Sequence, residues 1–243
     1  MTSTSDCYNN IVSNNTMVIV RYSILLGRNS MQTKYYNKNS YNDDDYIEWQ
    51  DVIDNGGIVA FPTETVYGLA VKYDDIDAIR RLFSLKERGE DKPLTLHVSS
   101  IDKVLPYVTV TPGFEMLAQS FLPGPLTIVL PKKNCNNSFI GNVTSVAVRM
   151  PCNDIAKAFI SSCGSVVAAT SANYSGSVPC INASDVKDRF DGKIDAIIDG
   201  GWCNGKISST VISLVAPVPM ILRQGGITKE AMEEVLHQQI LIK

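Results

Sequence analysis

Cationic side chains stand at the ends of two apolar runs in this sequence. Arg149 follows the run at residues 146–148, and Arg223 follows the run at residues 220–222. Three more cations lie close together along the chain, namely Lys86, Arg88 and Lys92. Each cation alone could be solvated or paired with a carboxylate. If several converge on one sheet edge, they form a site for a polyanion such as a triphosphate.

Small hydroxyl residues form a second group that could bind a ligand. The segments PTETVYGL (residues 62–69) and ATSAN (residues 169–173) each follow a predicted strand. Their hydroxyls and backbone N–H groups either cap the next helix or face a ligand at the end of the sheet. His97 could be a core residue or a substrate donor, and its periodicity favours neither.

Several common catalytic and binding motifs have little support. The chain has 2 histidines and no Cys-x-x-Cys pair, which argues against a zinc site. The segment GGWCNGK at residues 200–206 has the spacing of a P-loop, but Ile207 stands where a magnesium-binding hydroxyl is required. A strand-like run follows it instead of a helix, so we interpret the segment as a glycine-rich turn. Without a GxSxG motif, and with so few histidines, Ser–His–Asp and Cys–His catalysis are poorly supported.

Alternating strand and helix patterns must position these side chains. Short apolar or alternating runs predict strands at residues 57–61, 93–99, 126–130, 145–149, 165–169, 194–198, 210–215 and 220–223. Amphipathic spacing predicts helices at residues 46–55, 76–83, 112–121, 154–162, 183–190 and 228–237. Strands interleaved with helices indicate a single α/β domain with a twisted sheet whose strand ends and loops carry the site.

Composition divides the chain into two parts. Residues 1–45 are rich in Asn, Ser, Tyr and Asp without a persistent period, so we predict a flexible extension there and a folded domain at residues 46–243. The net charge of −3 is unlike that of a highly basic nucleic-acid binder. The 6 scattered cysteines favour a reducing compartment, and no apolar stretch is long enough to span a bilayer. We therefore expect a cytoplasmic protein without membrane association.

Eight segments occur in an order that identifies a family resemblance. They are FPTETVYGLA, LKERGEDKPLTLHV, FLPGPLTIVL, VAVRMP, ATSANYSG, IIDGG, SSTVISL and ILRQGGI. Together they resemble the YrdC family of threonylcarbamoyl-AMP synthases from about Tyr46 to about Leu236. The resemblance includes the paired signatures Lys86-x-Arg88 and Ser171-x-Asn173. It implies a twisted mixed sheet with flanking helices and a concave cationic face, as a single-domain type of catalytic domain ending at Lys243.

The resemblance also implies a reaction. L-threonine, bicarbonate or CO2, and ATP would give L-threonylcarbamoyl-AMP and pyrophosphate. A separate transferase would then use that adenylate to form threonylcarbamoyladenosine in tRNAs that read ANN codons. Mg²⁺ would enter with ATP, since no carboxylate cluster forms a protein-only cage. The reaction requires no covalent nucleophile, so catalysis would rest on positioning and charge stabilisation.

The family pattern implies roles for individual residues of this chain. The implied catalytic residues are Lys86 and Arg88. The residues implied near threonine are Thr65, His97, Arg149, Ala169 and Ser209. The residues implied near ATP are Arg88, Lys92, Ser145, Ser171, Asn173, Pro179 and Arg223. No protein ligand to a metal is implied.

Two alternative functions remain open from the sequence. A carbamoyl-transfer relative uses the same fold inside a longer hydrogenase-maturation protein, whose zinc-finger and acylphosphatase regions are not found in this chain. A non-catalytic RNA-binding module would use the concave cationic face, although the acidity of the chain gives this little support. Weak tRNA affinity is compatible with either the enzyme or the module.

Overall fold

The computed structural model describes residues 32–37, 40–87, 94–133 and 144–243. Residues Thr33–Lys243 form one compact unit. Two predicted cations, Arg88 and Lys92, lie outside the described residues. Within the described ranges, the helices are all too short or too polar to cross a membrane.

Six α-helices are found in the described part of the chain, and they agree closely with the amphipathic patterns. They are α1 (Asp43–Asp54), α2 (Ile76–Lys86), α3 (Pro112–Phe121), α4 (Asp154–Ser162), α5 (Ala183–Phe190) and α6 (Lys229–Leu236). Polar residues cap their N-termini. Asn42 and Asp45 form a capping box at α1, and the Asp75 carboxylate accepts from two backbone N–H groups at the start of α2.

The strands belong to one mixed sheet. They are β1 (Lys34–Tyr36), β2 (Val59–Phe61), β3 (Gly68–Val71), β4 (Thr95–Val98), β5 (Leu126–Pro131), β6 (Ser145–Arg149), β7 (Val166–Ser171), β8 (Ala196–Ile198), β9 (Thr210–Ser213), β10 (Met220–Arg223) and β11 (Leu241–Ile242). Their order is β1-β8-β2-β3-β7-β4-β6-β5-β9-β10-β11. Parallel and antiparallel pairs both occur, with β4 parallel to β6 and antiparallel to β7. The predicted α/β class with a twisted mixed sheet is confirmed.

The structure differs from the sequence prediction in three short strands and at one boundary. Strands β1, β3 and β11 were not predicted: β1 lies in the polar segment assigned to the extension, β3 begins at Gly68 directly after the PTET turn, and β11 has only two residues. The boundary at residue 46 is wrong in detail. Lys34–Tyr36 pairs with β8, and α1 begins at Asp43, so the folded unit includes residues assigned above to the extension. The predicted flexibility of residues 1–31 concerns residues outside the described part.

Helices cover the two faces of the sheet unequally. The larger apolar cluster packs α2, α3, α5 and α6 against one face, with Leu82, Leu117, Val186 and Met232 fully buried. A smaller cluster packs α1 and α4 against the other face. Its sheet members come from β1, β2, β3, β7 and β8. The same face of β4, β6, β5 and β9 carries polar side chains, and the functional candidates lie there.

Candidate active site

Strand register brings the candidate side chains into two rows on this second face. Thr95 of β4 lies between Ala147 of β6 and Ala169 of β7. Two residues along, His97 lies beside Arg149. Because side chains of one strand alternate between faces, these five residues share a face, and the rows are about 7 Å apart. The neighbouring strand residues Leu96 and Val148 point to the opposite face, where they join the larger core.

A cavity of about 270 Å³ opens above these rows. It contains six of the residues that the family pattern implies, namely His97, Arg149, Ala169, Ser171, Ser209 and Arg223. The small side chains of Ala147 and Ala169 form its floor and leave room for a ligand. Residues that are far apart in the sequence thus meet at one place on the sheet.

Arg149 is held at the cavity by two acceptors. Its Nη2 donates to Glu64 Oε1 at 2.8 Å and to Thr65 Oγ1 at 2.7 Å. The other oxygen of Glu64 accepts from the backbone N–H of Cys152 at 3.0 Å. The Arg149 side chain is only 7% exposed, and its Nε is buried without a hydrogen-bond partner among the described residues. A buried donor of this kind is costly unless a ligand supplies an acceptor, and a carboxylate fits the guanidinium edge.

A tight turn after β2 presents Thr65 and Glu64 to Arg149. The Thr63 hydroxyl accepts from the backbone N–H groups of Thr65 and Val66, at 3.1 and 3.2 Å. The Glu64 carbonyl accepts from Gly205 N–H at 2.9 Å. A Cβ at Gly205 would lie 2.8 Å from that carbonyl oxygen, so this approach requires glycine. The turn is therefore fixed at both ends before any ligand binds.

His97 is neutral at this site. Burial, followed by the positive charge of Arg149, lowers the pKa of His97 from 6.5 to about 3. Its Nδ1 lies 3.3 Å from the Thr95 carbonyl oxygen. Since a carbonyl only accepts, the proton is assigned to Nδ1, and Nε2 is left as an acceptor. His97 can therefore accept a hydrogen bond from a ligand but cannot act as a cation.

Ser209 and Arg223 form the opposite wall of the cavity. The Ser209 and Thr127 hydroxyl oxygens lie 2.8 Å apart, and Arg223 Nη2 donates to the Ser209 carbonyl at 2.9 Å. Gly225 crosses this segment so closely that a Cβ would lie 2.3 Å from the Ser208 carbonyl oxygen and the Thr210 nitrogen. The crossing locks Ser209 in place beside β9.

Lys86 is buried at the end of α2 rather than exposed in the cavity. It is 1% exposed, and its Nζ donates to the carbonyls of Ser171 and Asn173. Ser171 Oγ in turn donates to Asn173 Oδ1 at 2.5 Å. Helix α2 ends here because Glu87 adopts a left-handed conformation, with φ of 51°. Lys86 of the first signature thus contacts both residues of the second signature, Ser171 and Asn173.

The other implied residues that the structure describes do not line the cavity. Thr65 accepts a hydrogen bond from Arg149, and Asn173 accepts one from Ser171; Arg149 and Ser171 line the cavity. Ser145 begins β6, and Pro179 is half-buried after the Ser171 segment; neither lines the cavity. With Arg88 and Lys92 outside the described residues, the concave cationic face stays a prediction. The roles of all these residues stay predictions as well.

Two functional candidates were not assigned from the sequence. Glu64 belongs to the site because it forms an ion pair with Arg149. The two residues are 85 positions apart, and no sequence pattern indicates their contact. The alternation of Thr95 with Leu94 and Leu96 predicts that Thr95 shares a strand face with His97, and the burial of both leucines agrees with this, but the sequence assigned Thr95 no role in the site. Both belong to the site as the structure forms it.

A larger cavity of about 450 Å³ lies elsewhere, beside Trp49 and Asp199. Its described lining includes Tyr41, Tyr46 and Asp154 but neither arginine nor lysine. Such a lining does not suit an anionic ligand, and we assign the candidate site to the smaller cavity with Arg149. Among the described residues, there is also no group of three or more His, Cys, Asp or Glu side chains that could hold a metal.

Comparison with known proteins identifies relatives of this chain. A model of the Sua5/YciO/YrdC family, described as "Telomere recombination", matches residues 51–225. A Pyrococcus abyssi protein named threonylcarbamoyl-AMP synthase is 44% identical over 186 residues, which are 76% of this chain and 55% of the relative. A Bacillus subtilis protein of the same name is 36% identical over 200 residues, 81% of this chain and 58% of the relative. The chain thus spans little more than half the length of these relatives.

Solved structures show the same fold. Pyrococcus abyssi Sua5 complexed with L-threonine superposes with a TM-score of 0.80 at 38% identity, covering 87% of this chain and 62% of that one. Escherichia coli YciO superposes with a TM-score of 0.74 at 24% identity, covering 83% of this chain and 98% of that one, and this likeness concerns the fold alone. From the matching family model and the identity to these relatives, we conclude that this chain belongs to the Sua5/YciO/YrdC family.

Proposed function

We propose that this protein is a threonylcarbamoyl-AMP synthase, which makes L-threonylcarbamoyl-AMP and pyrophosphate from L-threonine, bicarbonate or CO2, and ATP. The observation that carries the proposal is the buried Arg149, whose Nε lacks a partner in the described structure and lies at a cavity of amino-acid size. Relatives of the same family are named for this activity, and one was crystallised with L-threonine.

Threonine would bind in the row of Arg149 and His97. The guanidinium of Arg149 suits the carboxylate of the amino acid. The neutral His97 would accept a hydrogen bond at Nε2 from the threonine hydroxyl or amine, since its lowered pKa leaves it uncharged near pH 7. Ser209 and Thr65 supply further polar groups at the wall, and Ala169 leaves space at the floor.

ATP would bind with its reacting phosphate near Ser171 and Asn173. Arg223, which lies by strand register in the row of His97 and Arg149, would reach the phosphates from the opposite wall of the cavity. Arg223 now donates to the Ser209 carbonyl, and a phosphate would compete for the same guanidinium. We assign Arg88, Lys92, Ser145 and Pro179 to this end on the family pattern. Mg²⁺ would arrive as part of the MgATP substrate, held by the triphosphate.

The chemistry needs no covalent enzyme intermediate. The threonine amine nitrogen attacks the carbon of CO2, an electron pair of one C=O bond moves to oxygen, and the nitrogen releases a proton to solvent. A carbamate oxygen then attacks the α-phosphorus, and the bond from that phosphorus to the bridging oxygen breaks to release pyrophosphate. The protein contributes orientation and stabilises negative charge with fixed donors.

The product would serve tRNA modification. Threonylcarbamoyl-AMP would be used by a separate tRNA threonylcarbamoyl transferase to form threonylcarbamoyladenosine in ANN-decoding tRNAs. Direct tRNA binding would be weak, since the chain has a net charge of −3.

Pyrophosphate release tests the proposal. The wild-type protein should release pyrophosphate only when threonine, bicarbonate and MgATP are all present. Arg149→Lys keeps the charge but loses the guanidinium fork, so KM for threonine should rise at least about tenfold. Arg80→Lys, at an exposed position, is the matched control and should behave as wild type. A protein that releases no pyrophosphate but binds RNA tightly in low salt would instead be the non-catalytic module.

A further inference from the structure

The Thr95 side chain occupies the middle of the cavity floor. Its strand β4 is central, and the residues opposite Thr95 are Ala147 on β6 and Ala169 on β7. Both neighbours end at Cβ, so neither covers the Thr95 hydroxyl. Leu94 and Leu96 point into the larger core, and Thr95 therefore faces the cavity that it lines.

Among the described residues, no side chain or backbone group forms a hydrogen bond with the Thr95 hydroxyl, in contrast to the hydroxyls of Thr127, Ser209 and Ser171. Thr127 and Ser209 bind each other at 2.8 Å, and Ser171 donates to Asn173 at 2.5 Å. The hydrogen bonds of Thr95 within the described ranges are those of its backbone, which pairs with β6 and β7 and whose carbonyl lies 3.3 Å from His97 Nδ1. The cavity thus contains one centrally placed hydroxyl that is still available to a ligand.

Register places this hydroxyl between the two substrate ends. Measured along the strands, Arg149 and His97 lie two positions from the Thr95 row in one direction. Ser145 and Ser171 lie two positions from that row in the opposite direction. Two residues of extended strand span about 7 Å. If threonine binds at Arg149 and ATP near Ser171, the threonine nitrogen and the α-phosphorus must meet above Thr95.

We propose that the Thr95 hydroxyl binds the carboxyl oxygens of the one-carbon substrate, as bicarbonate or CO2 first and as carbamate afterwards. This inference rests on the proposed function and adds a residue and a subsite to it. When the threonine nitrogen bonds to carbon, negative charge collects on oxygen, and a fixed O–H donor stabilises it. The hydroxyl keeps its proton throughout, so the balance of the reaction is unchanged.

Thr95→Val tests the role of the hydroxyl. Valine keeps the shape and the strand preference of threonine but cannot donate a hydrogen bond. We expect kcat for pyrophosphate release to fall about 100-fold, as for other lost oxyanion donors, with KM for bicarbonate raised. The dissociation constant for threonine, measured by calorimetry, should change less than about threefold, because Arg149 and His97 remain.

Thr95→Ser is the matched control, since it restores the hydroxyl without the methyl group. It should recover most of the wild-type kcat, and Thr95→Ala should resemble Thr95→Val if the latter folds poorly. A Thr95→Val variant with wild-type turnover, or one that loses threonine binding to the same extent as turnover, would overturn the inference. A wild-type protein that makes no adenylate would instead contradict the proposed function itself, so the two failures are distinguishable.

Discussion

At the scale of single residues, the pair of Glu64 and Arg149 determines what the cavity can bind. The two charges are 2.8 Å apart with side-chain exposures of 19% and 7%, so solvent screens them weakly. Glu64 does not line the cavity, and it acts by accepting a hydrogen bond from Nη2 of Arg149, whose guanidinium does line the cavity. It is a positioning residue for the proposed amino-acid site.

Glu64→Gln should therefore weaken threonine binding. The amide cannot satisfy both Arg149 and the Cys152 N–H, so the guanidinium loses its fixed orientation. We expect the dissociation constant for threonine to rise about tenfold, which corresponds to about 1.4 kcal/mol. Calorimetric titration with threonine measures it. Glu48→Gln removes the exposed partner of Lys34 and should leave the affinity unchanged; equal effects of both variants would disprove the positioning role.

The burial of His97 makes folding stability depend on pH. Its folded-state pKa of about 3 lies below the ordinary value of 6.5, so the unfolded chain binds more protons between these values. The stability contributed by neutral His97 is complete above 6.5 and is lost as the pH falls toward 3. Between about pH 7.5 and 5.5, this residue should lower the free energy of unfolding by about 1.4 kcal/mol.

Urea unfolding of two histidine variants separates this effect from other titrations. Between about pH 7.5 and 5.5, the free energy of unfolding of His97→Gln should fall by about 1.4 kcal/mol less than that of the wild type. The His237→Gln variant, at an exposed position, should show the same fall as the wild type. Identical pH dependence in wild type and His97→Gln would show that His97 is not held neutral by burial.

At the scale of elements, Lys86 connects the end of α2 to the end of β7. Sequence spacing alone presents Lys86 as a functional cation, but the structure shows its ammonium bonded to the Ser171 and Asn173 carbonyls. The apolar run of β7 is visible in the sequence, whereas the pairing of its final carbonyl with a lysine 85 residues earlier is not. This is why the element was predictable and the contact was not.

Lys86→Ala should consequently destabilise the fold as well as the site. It removes a side chain that is 1% exposed and takes the Lys86 donor from two carbonyl oxygens, of which that of Ser171 still accepts from the Asn173 N–H. We expect a loss of about 3 kcal/mol in the free energy of unfolding, compared with less than about 0.5 kcal/mol for Lys103→Ala at an exposed position. Chemical denaturation measures both. An undiminished free energy of unfolding in Lys86→Ala would contradict the bridging role.

The sequence predicted elements that carry a local pattern better than elements formed by long-range pairing. The helices show an amphipathic period, and strands such as β5 and β6 stand out as apolar runs. Strand β1 has three residues and pairs with β8, about 160 positions later, so long-range pairing rather than local pattern forms it. Strand β3 follows the PTET turn directly, and its Gly68 makes the segment resemble a loop.

At the scale of the whole molecule, unequal coverage of the sheet creates the site. Helices α2, α3, α5 and α6 bury one face, while the cluster with α1 and α4 reaches only as far as β7. The uncovered strands β4, β6, β5 and β9 therefore present His97, Arg149, Thr95 and Thr127 to a cavity. A chain with a net charge of −3 thus keeps an arginine-lined cavity for anionic groups.

The most direct test of the proposed activity follows carbon from bicarbonate into product. The protein is incubated with L-threonine, MgATP and ¹³C-labelled bicarbonate, and the adenylate is analysed by mass spectrometry. We predict a threonylcarbamoyl-AMP that is one mass unit heavier than with unlabelled bicarbonate, and none when threonine is omitted. Failure to form any labelled adenylate, by a protein that is folded and binds threonine, would contradict the account.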